Sequence, residues 1–313
     1  MISSPQIIHR LWETLALTPI CWGLKMGRPR METAIDVQLL THTPDPVRVM
    51  YVAFRTCYSR FTPQEIWADI ESGKITQEKM KAFIFDKLKS GHSSPRTQVY
   101  FTFAVSGLSR SASHQLVRHN NGITFDQQSQ RYYAFKEADF PFVVPETWEQ
   151  AGLRDEYLAF MHRVGELYDQ ALKAGVPAED ARFLLPNAAS TNLTFTVNFE
   201  EFLHIADLRL CWRAQWEIRH MWARARNALK AQFPELAKPV QPKCGDQRLG
   251  YCDEPMAEYL KCPLGARRIR LHKDEIVAAA KAGRTLESSP LTEEDLSLLT
   301  PKPEFEKVLT ATN

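Results

Sequence analysis

The side chains best suited to chemistry are concentrated in one segment, Ser113–Tyr133, whose only acidic residue is Asp126. Its arginines can hold a phosphate through paired hydrogen bonds, and its amides and hydroxyl can recognise the edge of a ring. The break at residues 120–122 (Asn-Asn-Gly) lets the chain reverse, so both ends of the segment can face one ligand. The segment predicts a pocket for an anionic, nucleotide-like ligand, and a solvated loop with surface arginines is the alternative. The candidate residues are Gln115, Arg118, His119, Gln127, Gln128, Ser129 and Arg131.

Three further polar clusters interrupt apolar sequence. The first, residues 91–95 (Gly-His-Ser-Ser-Pro), has the composition of a turn, which is the simplest interpretation. The second is Arg182, which either extends past a core helix to solvent or points its guanidinium into a pocket. The third combines Asn198, His204 and Arg209. Arg209 borders a predicted buried face and therefore needs an anionic or acceptor partner.

Cysteines in the C-terminal part form a separate candidate site. Cys244, Cys252 and Cys262 are separated by seven and nine residues. Structural zinc sites usually bring their cysteines in close pairs, which this spacing lacks. A three-cysteine site completed by His272 or Asp253 stands beside the alternative of reduced cysteines in a loop-rich tail. No metal site is predicted.

The elements that must position these clusters follow from apolar spacing and punctuation. Alternating β-branched and aromatic residues predict strands, and apolar residues three and four positions apart predict helices. Asp45 is a plausible cap for the first of these helices, and Gly91 and Gly175 each follow the end of one. The predicted strands are residues 35–40, 98–106 and 193–198, and the predicted helices are residues 46–57, 76–90, 108–119, 155–174 and 178–185.

The predicted scaffold also contains one long helix in the C-terminal half, residues 200–233. Its apolar stripe predicts a buried face, and Glu201, Asp207 and Arg213 fit ordinary surface ion pairs. The fold class is therefore α+β, with a small antiparallel sheet and a dominant set of helices. The stripe consists of Phe202, Ile205, Leu208, Trp212 and Trp216.

Composition bounds the class of protein. Over 313 residues, 44% are hydrophobic and 24% charged, as in a soluble globular protein, and the net charge of +2 does not favour a nucleic-acid or membrane-surface binder. No apolar run approaches the roughly 20 residues that span a bilayer, and the N-terminus lacks a signal-peptide pattern. Six cysteines without a disulfide framework predict a reducing compartment, by default the cytoplasm. The expected division is an extension over 1–30, upstream of the native start, a catalytic domain over 31–237 and a cysteine-containing extension over 238–313.

In order and spacing, the clusters resemble the flavin-dependent thymidylate synthases. The signature of that family is an Arg-His-Arg triplet, then seven residues, a serine, one residue and an arginine. Arg118-His119-Asn120 stands for the triplet here, and Ser129-Gln130-Arg131 for the end of the signature. The stretches FTFAVSGLSRSASHQLV, GVPAEDARFLLP, FTVNFEEFLHIADLRL and AQWEIR also look like family sequence, and the resemblance covers residues 33–235.

The resemblance implies an enzyme that makes dTMP from dUMP. Methylene-tetrahydrofolate gives the carbon, and FAD reduced by NADPH gives the hydride. Arg209 is then the catalytic residue, whose guanidinium stabilises negative charge on the pyrimidine. The implied nucleotide-binding residues are Gln115, Arg118, Gln127, Gln128, Ser129, Gln130, Arg131, Arg182 and Arg209.

The resemblance also implies a homotetramer whose active sites combine residues from several subunits. That assembly would account for the way nucleotide-binding and flavin-binding residues alternate within one segment. The implied FAD-binding residues are His92, Ser94, Arg118, His119, Asn120, Gln127, Asn198 and His204.

The chain departs from the family pattern around the triplet. Asn120 replaces its third residue, which removes a cation while keeping a hydrogen-bond donor. Eight residues instead of seven separate Asn120 from Ser129. Glutamate is common where Gln127 stands, and Glu200 occupies a position that is often basic. These changes leave two alternatives, a methylase of another pyrimidine nucleotide such as UMP, and a non-catalytic nucleotide-binding homologue.

Overall fold

A computed structural model describes residues 35–88, 91–136, 139–300 and 308–310. The predicted N-terminal extension over 1–30 lies outside these residues. The predicted division between 237 and 238 stays a prediction. Among the described helices, none combines the length and apolarity that a membrane span requires.

A four-stranded antiparallel sheet organises the structure, in the strand order β1 (Asp36–His42), β2 (Tyr100–Ser109), β5 (Ser190–Asn198) and β3 (Ile123–Gln127). Alternate residues of β2 point into the core, including Phe101, Phe103 and Val105. Strand β3 was not predicted, and it lies inside the polar segment, pairing Ile123 with Val197 and Gln127 with Leu193.

The first helices are fixed by local capping. Asp45 accepts a hydrogen bond from the backbone N–H of Arg48 at 3.1 Å, as the sequence predicted for a cap. Thr62 and Glu65 form a capping box on the next helix, which was not predicted. The predicted helices near 46–57, 76–90 and 108–119 are confirmed with shifted ends. The helices are α1 (Pro46–Tyr58), α2 (Pro63–Glu71), α3 (Gln77–Leu88) and α4 (Arg110–Leu116), with a 3₁₀ turn over Ser94–Gln98.

The predicted long helix over 200–233 is wrong, because the chain turns at residues 210–215 between two helices. Helix α8 is Phe199–Arg209 and helix α9 is Trp216–Gln232. Within the turn, the backbone N–H of Ala214 donates to the carbonyl of Cys211 at 2.9 Å. Arg219 donates to the carbonyls of Trp212 and Ala214 at 2.7 and 2.8 Å, which satisfies acceptors that a continuous helix would have used.

The burial of three residues of α8 also differs from the prediction for the long helix. Leu208 is exposed, because it lies opposite the face that packs on the sheet. Glu201 and Asp207 are buried, not on the surface as expected, whereas Arg213 is exposed and pairs with Glu254. The packed face instead joins Phe202 to Trp222 and Phe103, at ring-centroid distances of 4.9 and 5.6 Å.

A second apolar cluster lies under the long helix α6. Tyr157 and Tyr168 of this helix pack with Phe140 and Phe142, and the Tyr157 hydroxyl donates to the carbonyl of Val143 at 2.8 Å. The predicted helices near 155–174 and 178–185 are confirmed, the second as an α turn followed by a 3₁₀ turn. The elements are α5 (Glu146–Gln150), α6 (Arg154–Lys173), α7 (Ala178–Ala181), the 3₁₀ turn Arg182–Leu184, and the strand pair β4 (Pro141–Val143) and β6 (Val308–Thr310).

The chain from residue 238 to residue 300, which we call the C-terminal segment, packs on α9 through polar and apolar contacts. The buried guanidinium of Arg226 donates to the carbonyl of Val240 at 2.8 Å and forms two hydrogen bonds with the Glu293 carboxylate. Leu264, Leu291 and Leu299 form a small apolar cluster there. The short helices are α10 (Pro234–Ala237), α11 (Met256–Tyr259), α12 (Pro263–Ala266), α13 (Lys273–Lys281) and α14 (Glu293–Ser297).

Candidate active site

Arg209, the last residue of α8, lies at the centre of a partly buried polar group. Its Nε donates to Nε2 of His119 at 3.0 Å, and an outer nitrogen donates to the carbonyl of Gln115 at 3.3 Å. The His119 ring packs edge-on toward His204 with centroids 6.4 Å apart. Glu201 completes the group, which we call the arginine–histidine cluster: Gln115, His119, Glu201, His204 and Arg209. The sequence predicted all of these except Glu201.

The hydrogen bond from Arg209 fixes the protonation of His119. An arginine N–H can only donate, so Nε2 of the imidazole accepts and the single ring proton is on Nδ1. Nδ1 lies 3.6 Å from Oε1 of Glu201. Burial, then the Arg209 cation and then His204 lower the pKa of His119 to about 4. His119 is therefore neutral at neutral pH and orients the guanidinium instead of carrying charge.

The same group brings ligand atoms of His119, Glu201 and His204 within 4.8 Å of one another. Two imidazoles and a carboxylate can ligate a transition metal. Here the Arg209 guanidinium already binds the His119 ring, and a second cation beside it would be repelled. The arrangement favours a site for negative charge instead.

Asn198 and Gly122 position the cluster by holding α8 against β3. The Asn198 side chain caps α8 by accepting from the backbone N–H of Glu201 at 2.9 Å, and the backbone N–H of Asn198 donates to the carbonyl of Gly122 at 2.8 Å. Gly122 has φ of +66°, and a Cβ there would lie 2.0 Å from Nδ2 of Asn198. Glycine is therefore required at this turn. Arg118 and Asn120 of the predicted triplet are exposed beside it.

A second group lies at the other end of β3. Arg131 pairs with the Glu179 carboxylate at 2.8 Å, and Nε of Arg182 donates to the Glu179 carbonyl at 3.0 Å. The Ser129 hydroxyl accepts from the backbone N–H of Arg131 at 3.2 Å. The backbone N–H of Gln128 donates to the carbonyl of Asn192, near the start of β5, at 2.8 Å. We call Arg110, Gln128, Ser129, Arg131 and Arg182 the anion cluster.

Arg110 is a member of the anion cluster that the sequence reasoning missed. Its guanidinium donates to the carbonyl of Gln128 at 2.6 Å, and burial together with the nearby Arg182 cation lowers the pKa of Arg110. In the described part of the chain, Nε of Arg110 and Nε2 of Gln130 are buried without a hydrogen-bond partner. Buried donors of this kind, close to guanidinium groups, fit an anionic ligand. The position of Arg110 directly after the end of a strand was the signal in the sequence that could have identified it.

A third group lies in the turn predicted from residues 91–95. His92 bonds through Nδ1 to the hydroxyl of Tyr58 at 2.8 Å and through Nε2 to the hydroxyl of Ser94 at 3.0 Å. The following 3₁₀ turn is held against α8 by an ion pair of 2.6 Å between Arg96 and Glu200. Because Arg96 is buried, its charge needs a partner, and the Glu200 carboxylate is that partner.

Within one chain the structure separates the predicted site residues. The arginine–histidine cluster lies near Ile123 and Asn198, whereas the anion cluster lies beyond Gln127, four residues along β3. At a rise of about 3.2–3.4 Å per residue the ends of β3 are about 13 Å apart. Gln127 lies beside the anion cluster, with its amide donating to the Thr191 hydroxyl at 3.3 Å. The two ends of the polar segment therefore do not meet in one chain.

Comparison with known proteins gives the context for this geometry. A family profile described as thymidylate synthase complementing protein matches residues 38–235. The flavin-dependent thymidylate synthase of Nitratidesulfovibrio vulgaris is 41% identical over 234 residues, which is 72% of this chain and 93% of that protein. The protein of the same name from Geobacter sulfurreducens is 38% identical over 211 residues, 67% of this chain and 88% of that protein.

A solved structure shares the fold. The UMP/dUMP methylase PolB from Streptomyces cacaoi, crystallised with 5-Br dUMP, superposes with a TM-score of 0.54 at 19% identity. The superposition covers 66% of this chain and 94% of the methylase. At this identity the likeness supports the fold alone. The C-terminal cysteines lie beyond residue 235, where the family profile ends.

Proposed function

The chain belongs to the family of flavin-dependent thymidylate synthases, and on that premise we propose how its separated clusters divide the work of converting dUMP to dTMP. Its reaction is a reductive methylation with FAD as cofactor. Methylene-tetrahydrofolate and NADPH are the co-substrates we propose for the carbon and the electrons. The described cysteines are free thiols, which fits a reducing compartment such as the cytoplasm.

The residues around Arg209 suit a flavin and a pyrimidine that approach each other. FAD, when bound, supplies the hydride that completes the methyl group. His119 is neutral and presents its ring beside a fixed cation, and His204 is exposed at the edge of the cluster. We assign Asn198, His119 and His204 to flavin positioning, with His92 and Ser94 at the adjoining turn. Arg118 and Asn120 are exposed next to them and complete the proposed flavin contacts.

Arg209 is the residue we propose as catalytic. Negative charge develops on the pyrimidine carbonyl oxygens and N3 when the ring attacks the methylene group, and a guanidinium already in place stabilises it without reorganisation. His119 and the Gln115 carbonyl hold that guanidinium through two hydrogen bonds. Arg209→Ala should lower kcat by about 10²–10³. An unchanged kcat would exclude the role.

The anion cluster is the proposed site for the nucleotide phosphate. Its arginines can form paired hydrogen bonds with phosphate, and Ser129 and Gln128 supply neutral polar groups. Gln130 adds the buried amide nitrogen that has no partner among the described residues. Arg131 is held at present by Glu179, which a phosphate of higher charge would displace. This donor set is the single observation that carries the assignment.

We propose that the active site is completed between chains of a homotetramer. The phosphate bound at the anion cluster of one chain would place its pyrimidine against Arg209 of another chain, because about 13 Å separates the ends of β3 within a chain. Exposed aromatic side chains next to the anion cluster support a contact surface there: Tyr132 is 83% exposed and Phe183 is 84% exposed.

Mixing inactive variants tests the shared site. At a dUMP concentration well below KM, Arg209→Ala and Arg182→Ala should each form little dTMP, but a mixed assembly, refolded or co-expressed, contains sites with both arginines intact and should regain dTMP formation. The matched control mixes Arg131→Ala with Arg182→Ala, which both affect the anion cluster. If each site is formed by one chain, the first mixture stays as inactive as the control.

A further inference from the structure

Four cysteines line one small cavity at the junction of α8, α9 and the C-terminal segment. Cys244, Cys252 and Cys262 come from the C-terminal segment, and Cys211 comes from the turn between α8 and α9. The cavity has a volume of about 30 Å³, which is room for one ion or water molecule. All four are free thiols and none is exposed. The turn at residues 210–215 is what brings Cys211 to the other three.

Backbone amides lie near three of these sulfur atoms. The amide of Arg213 lies near Cys211, and the amide of Glu254 lies near Cys252. The amides of Leu264 and Gly265 lie near Cys262. Each amide follows its cysteine by two or three residues, so each loop bends tightly around the sulfur. Such donors stabilise a thiolate.

Gly265 is required for the tightest of these loops. A Cβ at this position would lie 2.1 Å from the backbone carbonyl oxygen of Tyr259. The Tyr259 hydroxyl is in turn anchored by donating to the carbonyl of Arg270 at 2.8 Å. The loop that presents Cys262 is therefore closely packed.

Cations surround the four thiols. Arg219 is buried and lies close enough to interact electrostatically with Cys211 and Cys262, and Arg270 acts likewise on Cys244. Both guanidinium groups have a buried Nε without a hydrogen-bond partner among the described residues. Four thiolates around a divalent ion carry a net charge of about −2, which Arg219 opposes directly, whereas Arg270 also pairs with Asp246.

We propose that Cys211, Cys244, Cys252 and Cys262 bind one structural zinc ion. Four sulfur ligands without a water position are the set of structural zinc sites, and a 30 Å³ cavity suits one ion better than an iron–sulfur cluster. Among the described residues, no three of these sulfurs lie within 4.8 Å of one another, the spacing that joins the ligand atoms of the His119 group. Binding an ion at zinc–sulfur distances of about 2.3 Å therefore requires the cysteine side chains to rotate toward it.

An ion at this place would connect the turn after α8, which carries Cys211, with the C-terminal segment, which carries the other three cysteines. Binding zinc releases the thiol protons to the solvent and makes four metal–sulfur bonds between α8 and the C-terminal segment.

The position of Cys211 ties the ion to the active site. Cys211 is two residues beyond Arg209, at the end of α8. The C-terminal segment also holds α8 through an ion pair between Arg248 and the buried carboxylate of Asp207. A zinc ion would thus fix the turn that follows the catalytic arginine. This consequence rests on the proposed function, whereas zinc binding itself does not.

Metal analysis of the purified full-length protein tests the proposal, whatever its activity. After dialysis against EDTA, we expect about one zinc per chain in the wild type and less than about a tenth in the double variant C252S/C262S. Cys57→Ser is the matched control, because Cys57 is an exposed thiol on α1, and it should retain the full zinc content. Iron in place of zinc, or wild-type zinc at the level of the double variant, would overturn the proposal.

Cobalt exchange keeps the test decisive if the double variant does not fold. Wild-type protein grown with Co²⁺ should show the intense long-wavelength bands of tetrahedral cobalt thiolate, beyond the absorption of any bound flavin. Cys211→Ser should lower the intensity of these bands and change their position, because one sulfur ligand becomes oxygen. Bands of octahedral cobalt, or equal bands in Cys211→Ser, would overturn the four-cysteine assignment.

Discussion

Replacing Arg209 by methionine should raise the pKa of His119 and make the protein less sensitive to acid. The pKa of His119 is lowered from 6.5 to about 4, first by burial and then by the Arg209 cation, whose Nε is 3.0 Å from the ring nitrogen. Methionine keeps the apolar volume but removes the positive charge and the donor. We expect the pKa of His119 to rise by about one unit, toward its ordinary value.

The lowered pKa has a direct consequence for stability. Between pH 6.5 and about 4 the unfolded chain binds a proton on this histidine that the folded chain does not. Lowering the pH through that window therefore favours unfolding. The stability of the folded chain that depends on neutral His119 is fully present above pH 6.5 and is lost as the pH falls toward 4. The difference between 6.5 and about 4 corresponds to about 3 kcal/mol of stability. Arg209→Met should reduce this loss by about 1 kcal/mol.

The assay is a pH titration of protein labelled with ¹³C at the histidine ring carbon, with the His119 signal identified by its absence in His119→Gln. Urea unfolding at pH 7 and pH 4.5, at fixed protein concentration, measures the linked free energy. Arg213→Met is the control, because that arginine is exposed and pairs with Glu254. A wild-type His119 pKa near 6.5, or one that Arg209→Met leaves unchanged, would refute the contact on which the reasoning rests.

Three further changes probe the scaffold and the anion cluster. Gly122→Ala should lower the free energy of unfolding by about 2–4 kcal/mol, because a methyl group there meets an amide nitrogen at 2.0 Å, whereas Gly175→Ala, also at positive φ but in open space, should cost about 1 kcal/mol. Arg248→Ala should destabilise the protein in urea unfolding by about 1–3 kcal/mol by leaving the buried Asp207 carboxylate unpaired, and adding Asp207→Asn should recover much of the loss. Arg182→Ala should raise KM for dUMP about 10–100-fold in steady-state kinetics, since a hydrogen bond to a charged group contributes about 1.5–3 kcal/mol.

Local signals in the sequence were sufficient for most of the fold. Alternation in QVYFTFAVS and helical spacing after Asp45 each depend on a few neighbouring residues, and both elements form where the pattern indicated. Strand β3 was missed because its apolar residues are only Ile123 and Phe125, embedded in a polar segment. Its pairing with β5 supplies the hydrogen bonds that its own composition does not predict.

The break between α8 and α9 could not be predicted because residues 210–215 contain no glycine or proline. Helical propensity there is overridden by tertiary contacts, chiefly those of the Arg219 guanidinium with two carbonyls of the turn. For the same reason the sequence did not indicate that Cys211 lies beside Cys244, Cys252 and Cys262, because the turn after α8 is what places it there. The burial of Glu201 was equally hidden, because it depends on His119, more than eighty residues away along the chain.

The site was predictable as a set of residues but not as an arrangement. Arg209 and His119 do meet, and Arg131 and Arg182 meet around Glu179. The separation of these pairs along β3 depends on a strand that was not predicted. Arg110 was missed because its role comes from the antiparallel pairing that brings the end of β2 beside the start of β5.

The absorption spectrum of the purified protein, recorded with and without dUMP, tests the central claim most directly. Bound FAD should give a yellow protein whose flavin bands shift when dUMP binds. Reduction with NADPH followed by dUMP and methylene-tetrahydrofolate should restore the oxidised spectrum and form dTMP in equal amount, with UMP as the competing nucleotide for comparison. A colourless protein that added FAD cannot reconstitute, or a reduced flavin that forms no dTMP, would contradict the assignment.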